Sequence, residues 1–264
     1  MKRRLFTFGC SYTQWLWPTW ADILATGFDE FQNWGLRGAG NRTIVERLSE
    51  FLLQNTLTKD DVIVVQWTDY HRYDLHSPRI HPESNWGCGG NLHLNPHTPK
   101  WVSDNWDEAS YIMHTLNFIN FAINLLRNQK CTWLMTSSID LTTDIEPFSK
   151  LHFYRQLFQE TAWLPPISKY LNSINFTGTE FKIHNHHTKK ISNNIDMHPT
   201  PELHNNWLVN YFPEHLTSKI DANFVLDIED TFNSTKNTTL DNRWFFNTVK
   251  WKEWHHCKNT VFGL

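Results

Sequence analysis

Short apolar runs alternate with longer amphipathic ones along the chain. Residues 4–9 are apolar or β-prone and end at Gly9, as a buried strand does. Residues 15–26 read as a helix, entered near Pro18, and FQNWG as a short strand. In residues 41–54 the apolar positions Ile44, Val45, Leu48, Phe51 and Leu52 recur at close to 3.6 residues, with Asn41 placed to cap the helix. DDVIVVQW, residues 60–67, is apolar without alternation, the mark of a central parallel strand. Residues 108–127 form an amphipathic helix and CTWLMTS, residues 131–137, the next strand. Helices are predicted over 149–163, ended by Pro165-Pro166, and over 201–217.

Strand and helix alternating in this way predict an α/β fold: a central parallel sheet with helices on both faces, in three layers. The main domain spans residues 1–220. Residues 70–107, rich in His, Pro, Gly, Asn and Trp, are too long for a plain loop and read as a lid-like insert. Residues 221–264, with little periodicity, read as a C-terminal extension packing back on that domain.

Composition narrows the function classes. A chain of 264 residues that is 40% hydrophobic can bury a sizeable core. The formal charge of −3 and the scattered basic residues give no nucleic-acid footprint. No apolar run approaches the ~20 residues of a membrane span. MKRRLFTFGCS lacks the longer apolar segment of a secretory leader, which predicts a cytoplasmic protein, or a virion-associated one. The four cysteines show no CxxC spacing, and Cys10 and Cys131, on or beside strand-like apolar runs, read as buried thiols of a reducing compartment. His184, His186 and His187, and the trio His255, His256 and Cys257, fall short of a complete ligand set, so neither a metal nor a cofactor is expected. Several of the 14 Trp lie in polar contexts such as NWGCGG and DNWDEA, where rings either pack half-buried or line sugar grooves. Nothing in the sequence sets an oligomeric state.

In a parallel α/β sheet, reactive groups gather at the carboxyl ends of the strands. Ser11 lies just beyond the first strand. A serine needs a base to become a nucleophile, and usually a carboxylate to orient that base. NNIDMHPTPELH brings Asp196, His198 and His204 to the approach of the last long helix, on a loop stiffened by Pro199 and Pro201. Gly38 and Gly40, before the helix at 41–54, suit close approach of a ligand to backbone N–H groups. The amide of Asn41 could face the same place.

These stretches resemble the sequence blocks of the SGNH/GDSL hydrolases, in the order of that family. FTFGCSYT resembles the first block, with Ser11 as nucleophile and oxyanion donor. NWGLRGAGN resembles the second, with Gly38 as the oxyanion glycine; VIVVQWTDYHR resembles the approach to the third, and DMHPTPELH the fifth. The resemblance implies a flavodoxin-like sandwich and acyl transfer from an ester through Ser11, His198 and Asp196, with His204 as a second candidate base. Three departures are visible. Thr68 stands where the family has an oxyanion Asn, so Thr68 or Asn41 would supply the third donor. Cys10 and Tyr12 flank the serine, and only Met197 separates Asp196 from His198. Such terse blocks are similar to those of phage-encoded relatives. Tyr12, Asp69, Arg72 and His204 are expected to border the substrate, with Arg72 placed to clamp a carboxylate or phosphate or else to pair with a neighbouring Asp. The expected partner is a small-molecule or glycan ester, with an O-acyl transferase, or a binding module with a degraded site, as alternatives.

Overall fold

The computed structural model describes residues 2–74, 99–144, 157, 163–184 and 191–236. Its central sheet runs β2-β1-β3-β4, all parallel, from β1 (Arg4–Phe8), β2 (Glu30–Asn33), β3 (Val62–Trp67) and β4 (Thr132–Ser137). Beyond β4, a single parallel bridge joins Met135 to Trp163, where a fifth strand would lie. The chain is thus an α/β protein built on a central parallel sheet, as the alternation of elements predicts.

The two-residue period of the strands sorts the core into two faces. Phe6, Phe8, Ile63, Val65, Trp67 and Met135 point to one side. There they meet Ile44, Leu48 and Phe51 of α2 (Asn41–Gln54) and Leu116, Ile119 and Ile123 of α4 (Glu108–Arg127). Leu5, Val62, Val64 and Leu134 point to the other. They meet α1 (Trp20–Ala25), α6 (Ile167–Ser173), α7 (Pro201–Tyr211) and α9 (Ala222–Lys236). Both faces of β3 are covered, which accounts for its apolar run Val62–Val65.

Several elements differ from the sequence reading. The helix expected over 15–26 is confined to α1, because Thr19 caps it in a reciprocal box with Asp22. Asn41 is not the cap of α2 but its first residue; the cap is Gly40, which has no side chain to offer. The carboxylate of Asp74 does that work from a distant loop, accepting from Gly40 N at 2.7 Å and Thr43 N at 2.8 Å. The helix expected over 201–217 breaks at Pro213 into α7 and α8 (Glu214–Thr217). An antiparallel hairpin, β5 (Thr179–His184) with β6 (Ile191–Asp196), was not anticipated and carries Asp196 at its end. The segment read as an extension without periodicity contains α9, whose Val225, Ile228 and Phe232 are buried. The helix expected over 149–163 lies, but for Leu157 and Trp163, outside the described residues, as do 75–98 of the lid-like insert and 237–264 of the extension. The histidine-rich 185–190 and 255–257 lie outside them too.

Candidate active site

Beyond β1 the chain turns sharply over residues 10–14, with Thr13 N and Gln14 N both donating to Cys10 O. A buried polar network holds this turn. Thr13 Oγ1 donates to Gln66 Oε1 at 2.9 Å, and Thr13 O accepts from Thr19 Oγ1 at 2.7 Å and Asn33 Nδ2 at 2.9 Å. Trp20 Nε1 also donates to Gln66 Oε1, at 3.1 Å. Gly9 is required by the close approach: a Cβ there would collide with Thr13 Oγ1 and come within 3.1 Å of Gln66 O. These bonds fix the turn through Gln66 Oε1 and Thr13, while Gln66 Nε2 is left buried without a partner among the described residues. The turn carries Ser11, which is 5% exposed.

The Asp196–His198 pair arrives from the opposite side, at the end of β6. Asp196 Oδ1 accepts from His198 N at 2.8 Å and lies 2.6 Å from His198 Nδ1. A carboxylate at that distance fixes the proton on Nδ1 and leaves Nε2 as the free base. The imidazole stacks on Trp15, with centroids 3.5 Å apart, and lies 5.3 Å from the Tyr12 ring. Tyr12 OH donates to Met197 O at 3.2 Å, and Trp17 Nε1 donates to Pro199 O at 2.7 Å. The histidine loop is therefore joined by direct contacts to Tyr12, Trp15 and Trp17, the residues that follow Ser11. Tyr12 is pushed up to about 12, first by burial and then by nearby negative charge, so it stays a neutral donor. Among the described residues the Ser11 hydroxyl has no hydrogen-bond partner, His198 included. Catalytic hydrogen bonds are often long before substrate binds.

His204 sits apart in character. It is fully buried on α7, and neither ring nitrogen has a partner. Burial, aided by the charge of His198, pushes it down to about 3. An imidazole so reluctant to protonate is a poor base at neutral pH, and a side chain with no exposed surface does not border a substrate. Both expectations for His204 are corrected on that ground.

Asn41 is corrected as an oxyanion donor. One amide hydrogen goes to Thr68 O at 2.9 Å and the other to Thr115 Oγ1 at 3.1 Å, while its Oδ1 accepts from Thr68 N at 2.8 Å. Both hydrogens are spent on holding Thr68 in place. The Thr68 hydroxyl is itself buried and unpartnered, a costly arrangement unless something accepts from it. Gly38 has φ of +77°, a left-handed turn that suits glycine.

At the end of β3 the chain repeats the Asp-x-His arrangement. Asp69 Oδ1 accepts from His71 N at 2.9 Å and lies 2.7 Å from His71 Nδ1. Here the ring packs on Tyr70 and Trp106, at 4.2 and 5.1 Å. Asp69 is thus occupied by His71. Arg72 Nη1 donates to Ala39 O at 3.1 Å, and no described carboxylate pairs with it.

Sequence reasoning missed Trp15, Gln66, Asn33 and Asp74. Gln66 carried a visible sign, a polar residue in an otherwise apolar strand; the others carried none.

No protein-family model and no curated protein matches the chain. Among solved structures it is similar to a member of the lipolytic protein G-D-S-L family from Veillonella parvula DSM 2008, at 11% identity and a TM-score of 0.45, over 79% of this chain and 97% of that one. It is also similar to a GDSL-like lipase from Bacteroides thetaiotaomicron VPI-5482, at 12% identity and a TM-score of 0.37, over 87% and 89%. A third likeness is to an acetyl xylan esterase from the rumen bacterium Butyrivibrio proteoclasticus, at 11% identity and a TM-score of 0.37, over 88% and 64%. At these scores the likenesses add no weight to what the chain's own residues say.

Proposed function

We propose that the chain is a serine ester hydrolase of the SGNH type, with Ser11 as nucleophile, His198 as base and Asp196 holding the imidazole. The observation that carries this reading is the Asp196–His198 pair, 2.6 Å apart, on a loop that touches the turn of Ser11 through Tyr12 and Trp15. In the proposed reaction Nε2 of His198 takes the hydroxyl proton as the oxygen attacks the ester carbonyl, then returns it to the leaving alcohol. Water repeats the sequence on the acyl-enzyme. The negative oxygen of the tetrahedral intermediate needs donors in place beforehand. Ser11 N, Gly38 N and the unpartnered Thr68 hydroxyl are the candidates, which would explain why a buried hydroxyl is left unpaired. Losing one such donor costs roughly 100- to 1000-fold in turnover.

The unpartnered Ser11 hydroxyl favours one other reading, a binding module that keeps the fold with a degraded site. Ser11→Ala decides between them. With 4-nitrophenyl acetate, the hydrolase reading expects the variant to melt like the parent and to lose activity by roughly 1000-fold or more. Equal turnover in parent and variant would rule the nucleophile out.

A further inference from the structure

The active edge holds a cation that the reaction proposed above does not use. Arg72 lies on the loop after β3, half-buried, and makes one hydrogen bond among the described residues, to Ala39 O. That carbonyl belongs to the turn carrying Gly38 and Gly40, so the guanidinium sits beside the place where an oxyanion would form. The acids on its own loop are turned elsewhere. Asp69 is engaged by His71, and Asp74 by the first N–H groups of α2. Arg37, the other cation near the site, is committed to Trp15: it donates to Trp15 O at 3.2 Å, with its guanidinium 5.3 Å from the ring.

A half-buried guanidinium with most of its N–H fork unused is an incomplete arrangement. A planar carboxylate completes it, with two parallel charge-assisted hydrogen bonds. One cation balances one negative charge, whereas a dianionic phosphate would call for a second.

Resting on the hydrolase reading, we infer that Arg72 binds an ionised carboxylate carried by the substrate itself, so that the chain prefers acidic esters to neutral ones. The carboxylate could stand on the acyl side, as in a hemiester of a dicarboxylic acid, or on the alcohol side, as in an acylated hydroxy acid.

Two substrate pairs separate these cases. 4-Nitrophenyl hemisuccinate against 4-nitrophenyl butyrate reads the acyl side, and 4-acetoxybenzoate against phenyl acetate reads the alcohol side. In one pair, kcat/KM of the parent should favour the acid by roughly ten- to a hundredfold. Arg72→Met should bring that ratio close to one, whatever happens to the neutral ester, while Arg72→Lys keeps part of it. A purely structural Arg72, acting by holding Ala39, would lower both members of a pair alike and leave the ratio unchanged; that result, or a parent ratio near one in both pairs, overturns the inference. A measurement without turnover keeps the two readings apart. Saturation-transfer NMR of the Ser11→Ala variant with monomethyl succinate, against dimethyl succinate, should show binding of the acid that disappears when Arg72→Met is added. If no ester is hydrolysed but this binding appears, the hydrolase reading fails and the carboxylate site stands; if esters are hydrolysed and the acid shows no preference, the reverse holds.

Discussion

His198 and His204 lie six residues apart and have opposite chemistry because of what surrounds them. His198 keeps part of its surface in water and has a carboxylate on Nδ1. His204 has neither water nor a partner, so its charged form is excluded. The unfolded chain protonates His204 near its ordinary value of about 6.5, the folded chain not until about 3. Between those values the unfolded state binds one more proton, so stability falls as pH drops through that window and is unaffected by this group above it. His204→Gln should remove about 1.4 kcal/mol per pH unit from the slope of unfolding free energy between pH 4.5 and 6, measured by urea denaturation. An unchanged slope would mean that His204 protonates freely in the folded chain. At this scale the sequence was half legible. Ser11 and the Asp196–His198 pair announce themselves by position on strand ends and loops. The choice between two histidines does not, because burial is a property of the assembled core.

Among the elements, the joint between the β3 loop and α2 matters most to the site. Helix α2 begins at a glycine cap and relies on Asp74, brought from more than thirty residues away, to satisfy Gly40 N and Thr43 N. The carboxylate is 8% exposed; burial pushes it up, and the same two N–H groups pull it back. Because Arg72 holds Ala39 from the same loop, both contacts pin the Gly38–Gly40 turn. Asp74→Ala should cost about 2–4 kcal/mol, since it leaves buried N–H groups without an acceptor at the positive end of a helix. Thermal unfolding reads this directly, and a loss below about 0.5 kcal/mol would show that the cap is dispensable. Such a cap is invisible in sequence, because the acceptor is remote; the local rule pointed to Asn41, whose side chain is instead committed to Thr68. Strands β1, β3 and β4 were legible because burial on both faces writes a continuous apolar run. The hairpin of β5 and β6 was not, because a strand such as ISNNID has too few apolar positions to show a period.

At the scale of the whole molecule, the fold brings the loop of His198 against the turn of Ser11, nearly 190 residues earlier in the chain. Ser11 follows β1, an interior strand of the sheet, and His198 follows the β5–β6 hairpin, which comes after β4 along the chain. Helix α9 completes the arrangement from the far side. Its Phe232 lies edge-on against Trp17 at 5.2 Å, and Trp17 in turn holds Pro199 O. Residues that sequence periodicity left outside the domain thus reach, by two contacts, the loop of His198. A fluorophosphonate tests this long-range convergence without any knowledge of the natural ester, because the reagent traps a serine only where a base activates it. The expected result is one equivalent of label on the peptide containing Ser11, none in Ser11→Ala, and labelling slowed by roughly 1000-fold in His198→Ala. Labelling at Ser11 that proceeds at the same rate without His198, or no labelling of the parent at all, would contradict it.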